Sequence, residues 1–190
     1  MAAIEVFEVP TMLQVAEWQH NKTPIQRQVT ILADITKYLT EEIEGTNDVY
    51  YSVENNTLGE AALVAIDEVG EENIRGVFLS EPMRLGNVRR YRKGFNTTNK
   101  SKLTACSKFK HLVENKKLTI SSKNLITEMK SFVASGASYA ARNGETDDLI
   151  MATLLIIRMS QVLKNYIPTL DDHLSEKLES FELPMPFVIS

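Results

Sequence analysis

From Leu149 to Ile157 the sequence reads LIMATLLII, with Thr153 the one polar residue in nine. A helix with so little polar surface has to be covered on nearly every side, so the rest of the chain must be arranged around it. The segment is entered through GETDD, which crowds Glu145, Asp147 and Asp148 against the helix mouth. Carboxylates in that place cap unpaired backbone N–H groups and favour the positive end of the helix dipole. Such capping is the ordinary reading. A second comes from the burial of the helix: a carboxylate pair pinned beside a core helix is held rigidly, as a metal site requires and a cap does not.

At 190 residues and 43% hydrophobic content, the chain can bury one substantial core. We expect one globular unit over residues 1–167, followed by a tail at 168–190. The opening AAIEVFEV alternates like a strand and not like a leader, so the expectation is a soluble protein that is not exported. The longest apolar run is broken by Thr153 and Arg158 and is too short to span a bilayer. Cys106 is the sole cysteine, which rules out an intrachain disulfide and a thiolate metal cluster and reads as a small buried residue. The formal net charge of −4 conceals an asymmetry. Between Arg84 and Lys130 thirteen Lys or Arg face two acids, a net of +11, while the remainder nets −15. One electropositive surface suited to a polyanion follows from that split, and a set of solvated loop and helix faces is the equal alternative.

Strands are expected over Ala3 to Val9 and Leu13 to Trp18, followed after Pro24 by a helix with Ile25, Val29, Leu32, Ile35 and Leu39 on one face. The DVYYSV stretch, Asp48 to Val53, reads as a strand that ends at Glu54, Asn55, Asn56 and Thr57, and a helix through Ala61 to Ile66 follows. Ile74 to Leu79 is a further strand, and Arg84 to Lys100 a loop or hairpin. Next come a helix from about Ser101 to Glu114, a short strand at Leu118 to Ser121, a helix from about Lys123 to Val133, an extended piece at Ser138 to Ala141, and the core helix. Alternation of this kind predicts an α/β sheet with helices on both faces. After the Pro168 break, a short amphipathic helix runs through Leu174 and Leu178, and a tail ending PMPFVIS is expected to dock back on the domain.

Several chemistries are excluded. There is no phosphate-cradling G-x-x-x-x-G-K-[ST], no G-x-G-x-x-G and no G-x-S-x-G, and His20, His111 and His173 lack the spacing of zinc ligands. Carboxylates remain. Glu54 stands at the carboxyl end of a strand, the edge at which open α/β sheets gather ligands, although a lone Glu there is ordinarily a solvated turn residue. With Asp147 and Asp148 it would supply two or three hard oxygen donors. Mg²⁺ or Mn²⁺ accepts so sparse a set because it keeps its other positions for water and phosphate, and two such ions clamp the attacking and leaving oxygens of a phosphodiester.

The segments AAIEVFEVPTMLQVAEWQHN, YYSVENNTLGEAALVAI and KLTACSKFKHLVENKKLTISSKNLITEMKSFVASGASYAARNGETDDLIMATLLI together resemble the carboxyl-terminal nuclease domain of the large terminase subunit of tailed bacteriophages, closest to the version in large contractile-tailed phages. The resemblance covers about Ala3 to Met159. Its most specific part is G-x-x-x-x-A-x-x-G-x-x-D-D-L-x-M-A, met by Gly136, Ala141, Gly144, Asp147, Asp148, Leu149, Met151 and Ala152.

The resemblance implies a ribonuclease H-like mixed sheet with helices on both faces and a two-metal endonuclease, with Mg²⁺ or Mn²⁺ as cofactor, that cuts concatemeric double-stranded DNA during packaging. It implies an ATPase domain as partner, with portal and small terminase subunit as further partners, no membrane, and the host cell cytoplasm as location. Residue by residue, Glu54 matches the middle acidic ligand in a V-E-x-N-x-x-G context whose glycine is Gly59, and Asp147 and Asp148 match the closing acidic pair. Thr146 stands where many members carry histidine. The family's first catalytic aspartate lies on a strand preceding AAIEVFEVP, so it is expected from sequence upstream or from another polypeptide. DNA contacts are expected from Arg84, Arg89, Arg90, Arg92, Lys93, Lys100 and Lys102. The alternative is a catalytically incomplete module that holds DNA or docks on portal or motor; a third reading, a ribonuclease H-like resolvase, is disfavoured by the ordered match beyond the acids.

Overall fold

A computed structural model describes residues 2–43, 48–85 and 88–175, with the side chains of 57, 58 and 83–92 outside the described set. The opening alternation forms an antiparallel hairpin of β1 (Ala2–Glu8) and β2 (Leu13–His20), with a bulge between Val6 and Phe7. Its turn passes through a cis Val9–Pro10 bond and Met12, whose side chain is fully buried. Helix α1 (Ile25–Glu41) follows Pro24, packs against α2 (Thr57–Val69), and buries Val29 in a small core with Tyr51, Ala65, Ile66 and Ile74. β3 (Tyr50–Tyr51), which precedes α2, runs parallel to β4 (Val77–Phe78), which follows it.

The basic segment is a hairpin of β5 (Glu81–Leu85) and β6 (Val88–Arg92) in the register Glu81 opposite Arg92 to Leu85 opposite Val88. Then come α3 (Asn99–Glu114), α4 (Lys123–Ser131), a second hairpin of β7 (Phe132–Ser135) and β8 (Ser138–Ala141), α5 (Asp148–Leu163) and α6 (Pro168–Leu174). A capping box fixes the start of α3, because the Thr98 hydroxyl accepts from the Ser101 N–H while the Ser101 hydroxyl accepts from the Thr98 N–H.

Helix α5 is the centre expected from its composition. Leu149, Ile150, Leu154 and Ile157 are at most 2% exposed, and β1, α3 and α4 pack around them. At about 1.5–3 kcal/mol for each fully buried side chain, these four residues supply a large share of the driving force for the main core. The two buried hydroxyls of α5 are satisfied locally, Thr153 donating to Leu149 O at 2.9 Å and Ser160 to Ile157 O at 2.8 Å. Leu170 of α6 joins the same core, and Lys117 Nζ donates to Ser175 O, so the chain through residue 175 lies against the body. The tail beyond 175, with Leu178 and PMPFVIS, lies outside the described residues.

The molecule is a mixed α/β fold. Among the described residues the strands form four two-stranded ladders, and the Leu118 to Ser121 strand is reduced to one bridge between Leu13 and Thr119. Among the described residues β1–β2 and β3–β4 are separate, so the continuous mixed sheet expected from the alternation is present only as these pieces. No helix among the described residues is long and apolar enough to cross a membrane.

The buried face of the first hairpin carries an unexpected carboxyl group. Glu5 is 7% exposed, opposite Glu17 in the ladder, and accepts from Gln14 Nε2 at 2.7 Å. Burial, against the lowering effect of the Gln14 bond and with help from Glu17 and Glu128, pushes its carboxyl up from 4.5 to about 8. The folded state therefore holds a proton that the unfolded chain has lost, and stability falls as pH rises from about 4.5 to about 8. Each tenfold change in proton affinity is worth about 1.4 kcal/mol, which makes the loss on the order of a few kcal/mol. Urea midpoints should be higher at pH 5 than at pH 8.5, and Glu5→Gln should remove most of that difference. Equal slopes for wild type and variant would assign the pH dependence elsewhere.

Candidate functional site

The acidic mouth of α5 is organised by a residue from another helix. Glu128 of α4, 6% exposed, accepts from the backbone N–H groups of Leu149 and Ile150 through Oε2 at 2.9 and 3.1 Å, and from Thr146 Oγ1 and Gln19 Nε2 through Oε1, both at 2.9 Å. Those two N–H groups are the ones a helix-capping side chain ordinarily serves. Asp147 occupies the N-cap position and makes no capping hydrogen bond. Capping, the ordinary role for this cluster, falls to Glu128, and Asp147 is released from it.

Asp147 instead faces α3. Its Oδ2 lies 3.8 Å from Lys102 Nζ, whose side chain is 15% exposed and sits over the Phe132 ring at 5.4 Å from the centroid. Thr146 donates its hydroxyl to Glu128. Gly144 (φ 88) and Gly136 (φ 59) both need positive φ with open space around them. Gly136 is the first central residue of the two-residue turn between β7 and β8, the place where a type II′ turn requires glycine.

Glu54 ends the extension of β3 through a parallel bridge to Phe95, with Asn55 N donating to Phe95 O at 2.7 Å. Its Oε1 accepts from Asn56 Nδ2 at 3.0 Å, and Asn56 Oδ1 in turn receives the Thr97 N–H at 3.3 Å. A Cβ on Gly59 would stand 1.5 Å from the Glu54 backbone oxygen, so the first turn of α2 lies directly on the residue that carries the carboxylate. Glycine at 59 is a steric condition for Glu54 to stand where it does. Arg158 ties this loop to α5: it donates to Glu81 Oε1 at 2.6 Å and to Asn96 O at 3.0 Å, and its guanidinium centre lies 5.1 Å from the centroid of the Phe95 ring.

The structure thus sets Asp147 and Asp148 side by side at the start of α5 and Glu54 at a strand end linked to the same helix through Thr97 and Arg158. All three offer hard carboxylate oxygens, the donor type that Mg²⁺ and Mn²⁺ take. Among the described residues no group of three or more Asp, Glu, His or Cys stands together in a form that could hold a metal ion. The donors fit such an ion in kind only.

The residues expected to touch DNA divide. Arg84, Arg89, Arg90 and Arg92 fall on β5 and β6, with side chains outside the described residues. Lys100 is exposed in the first turn of α3. Lys93 is held by α2 and the turn after it, its Nζ 2.5 Å from Asp67 Oδ1 and 3.1 Å from Glu71 Oε2. The hydrogen bond to Asp67 is the main cause raising its pKa. Lys102 is engaged with Asp147. Counting charges along the sequence could not separate lysines spent inside the fold from those facing solvent, and no local signal marked Glu128 as the cap.

No protein-family model matches the sequence. Among solved structures, the chain is similar to the crystal structure of the large terminase nuclease from thermophilic phage G20c with bound magnesium. The TM-score is 0.58 and the identity 16%, over 82% of this chain and 72% of that one. At this identity the likeness shows the fold: the mixed α/β arrangement is similar to that of the phage nuclease.

Proposed function

We propose that this chain is the greater part of a metal-dependent DNA endonuclease domain of a phage-type packaging terminase. The observation that supports it most is the transfer of the capping role to Glu128, which leaves Asp147 without a capping duty at the start of the core helix, in a fold similar to that of a magnesium-bound terminase nuclease. In this reading Asp147, Asp148 and Glu54 hold Mg²⁺ or Mn²⁺, which when bound polarises the phosphodiester and activates water. Glu128 fixes the helix start, Gly59 admits the Glu54 loop, and Arg158 keeps that loop on α5. A further aspartate comes from a strand upstream or from another polypeptide. The activity is cutting of concatemeric double-stranded DNA during packaging, beside an ATPase domain, portal and small subunit, in the host cytoplasm.

The second reading, a DNA-holding or motor-docking module without cleavage, is favoured by the lack of a three-carboxylate group among the described residues. Cleavage of plasmid DNA by the chain together with the upstream strand separates the two. The endonuclease reading and the DNA-holding form of the second both require phosphate binding by the basic hairpin. Duplex affinity should fall steeply with salt, and replacing Arg89, Arg90 and Arg92 by alanine should reduce the slope of log K against log salt by about three, close to one for each phosphate left unneutralised. Lys93→Ala should change it less, because Asp67 and Glu71 already neutralise that charge. A slope that ignores the arginines would reassign the hairpin to a protein partner.

A further inference from the structure

Lys102 is placed where a positive charge is least comfortable. It lies in the first turns of α3, near the positive end of that helix's dipole, and its side chain is only 15% exposed. What compensates it is specific: Asp147 Oδ2 at 3.8 Å and the face of Phe132 at 5.4 Å. Asp147, for its part, makes no capping bond that would use its charge. A partly buried cation and a carboxylate with no capping duty are therefore matched across α3 and the start of α5.

We propose that Lys102 is the resident counter-cation of Asp147, occupying the carboxylate until a divalent ion displaces it and so setting the affinity of the site for that ion. The proposal rests on the reading of Asp147 as a metal ligand. A lysine suits the role because its ammonium is a point charge on a flexible stem, able to leave while the stem stays packed on Phe132. An arginine would grip the carboxylate with two parallel N–H groups and yield less readily.

Mn²⁺ binding to the full chain, followed by the loss of the free-ion electron paramagnetic resonance signal, tests this without any cleavage assay. Lys102→Met, which keeps the stem and removes the charge, should tighten binding about fivefold, the scale of removing a partly exposed ion-pair competitor. Lys102→Arg, which keeps the charge, should weaken binding relative to wild type. That second variant separates direct competition from a general field, since a field effect alone would leave arginine equal to lysine. Without metal, Lys102→Met should melt lower than wild type, and saturating Mn²⁺ should close the gap. A melting deficit that Mn²⁺ leaves unchanged, arginine binding equal to lysine, or unchanged or weaker binding in the methionine variant would overturn the proposal and leave Lys102 as a strut between α3 and α5. If Asp147→Asn leaves Mn²⁺ binding intact in the wild-type background, the metal-site reading itself fails, a result distinct from all of these.

Discussion

Glu128→Ala is expected to cost about 3 kcal/mol of folding stability, the scale of stripping a buried hydrogen-bonded carboxylate from its partners. Four donors converge on that carboxylate, and two of them are the N–H groups of Leu149 and Ile150, both residues fully buried. Alanine leaves those groups with no acceptor at the mouth of the helix around which the core is built. Glu128→Gln keeps one carbonyl oxygen and should lose about 1–2 kcal/mol, because its amide then meets the Thr146 and Gln19 donors badly. Chemical denaturation at pH 6 reads both. A loss below about 0.5 kcal/mol for the alanine variant would mean that Asp147 or water takes over the cap, and would return the acidic cluster to its ordinary role.

The second large effect concerns cutting. In a chain completed by the upstream strand, Glu54→Ala or Asp147→Ala should lower the rate of plasmid cleavage by at least ~10²-fold, the scale of losing one preorganised charge-stabilising group at a reacting centre. Gly59→Ala should do nearly as much without touching a carboxylate, since its Cβ would overlap the Glu54 backbone oxygen. Far-ultraviolet circular dichroism should show these variants folded. Full activity in both carboxylate variants would place the active site elsewhere.

The helices were legible because their apolar residues recur on one face or, in α5, all round, although of the apolar face of α1 only Val29 is buried. The β7–β8 hairpin was half hidden. Phe132 and Val133 continue the apolar spacing of α4, yet Phe132 has extended dihedrals, and Gly136 in the SGAS stretch was the turn signal that outweighed the helical pattern. The strand read at Leu118 to Ser121 kept only the Thr119 bridge, because a β-prone run forms a ladder only where a partner strand lies alongside. At the site, the V-E-x-N-x-x-G spacing pointed to Glu54, and the reason for its glycine is steric and visible only in three dimensions. Glu128, 20 residues before Asp148, and Lys102, on another helix altogether, act across tertiary contacts that no local pattern encodes.

The central claim is that Glu54, Asp147 and Asp148 are most, but not all, of a two-ion nuclease site. It is tested most directly by conversion of supercoiled plasmid to the linear form in Mg²⁺ or Mn²⁺, comparing this chain with a longer one that carries the upstream aspartate strand. The present chain should bind the plasmid and cut it poorly, the longer chain should cut it, and Asp147→Ala in the longer chain should abolish cutting. Vigorous metal-dependent cutting by the present chain that survives both Glu54→Ala and Asp147→Ala would contradict that claim.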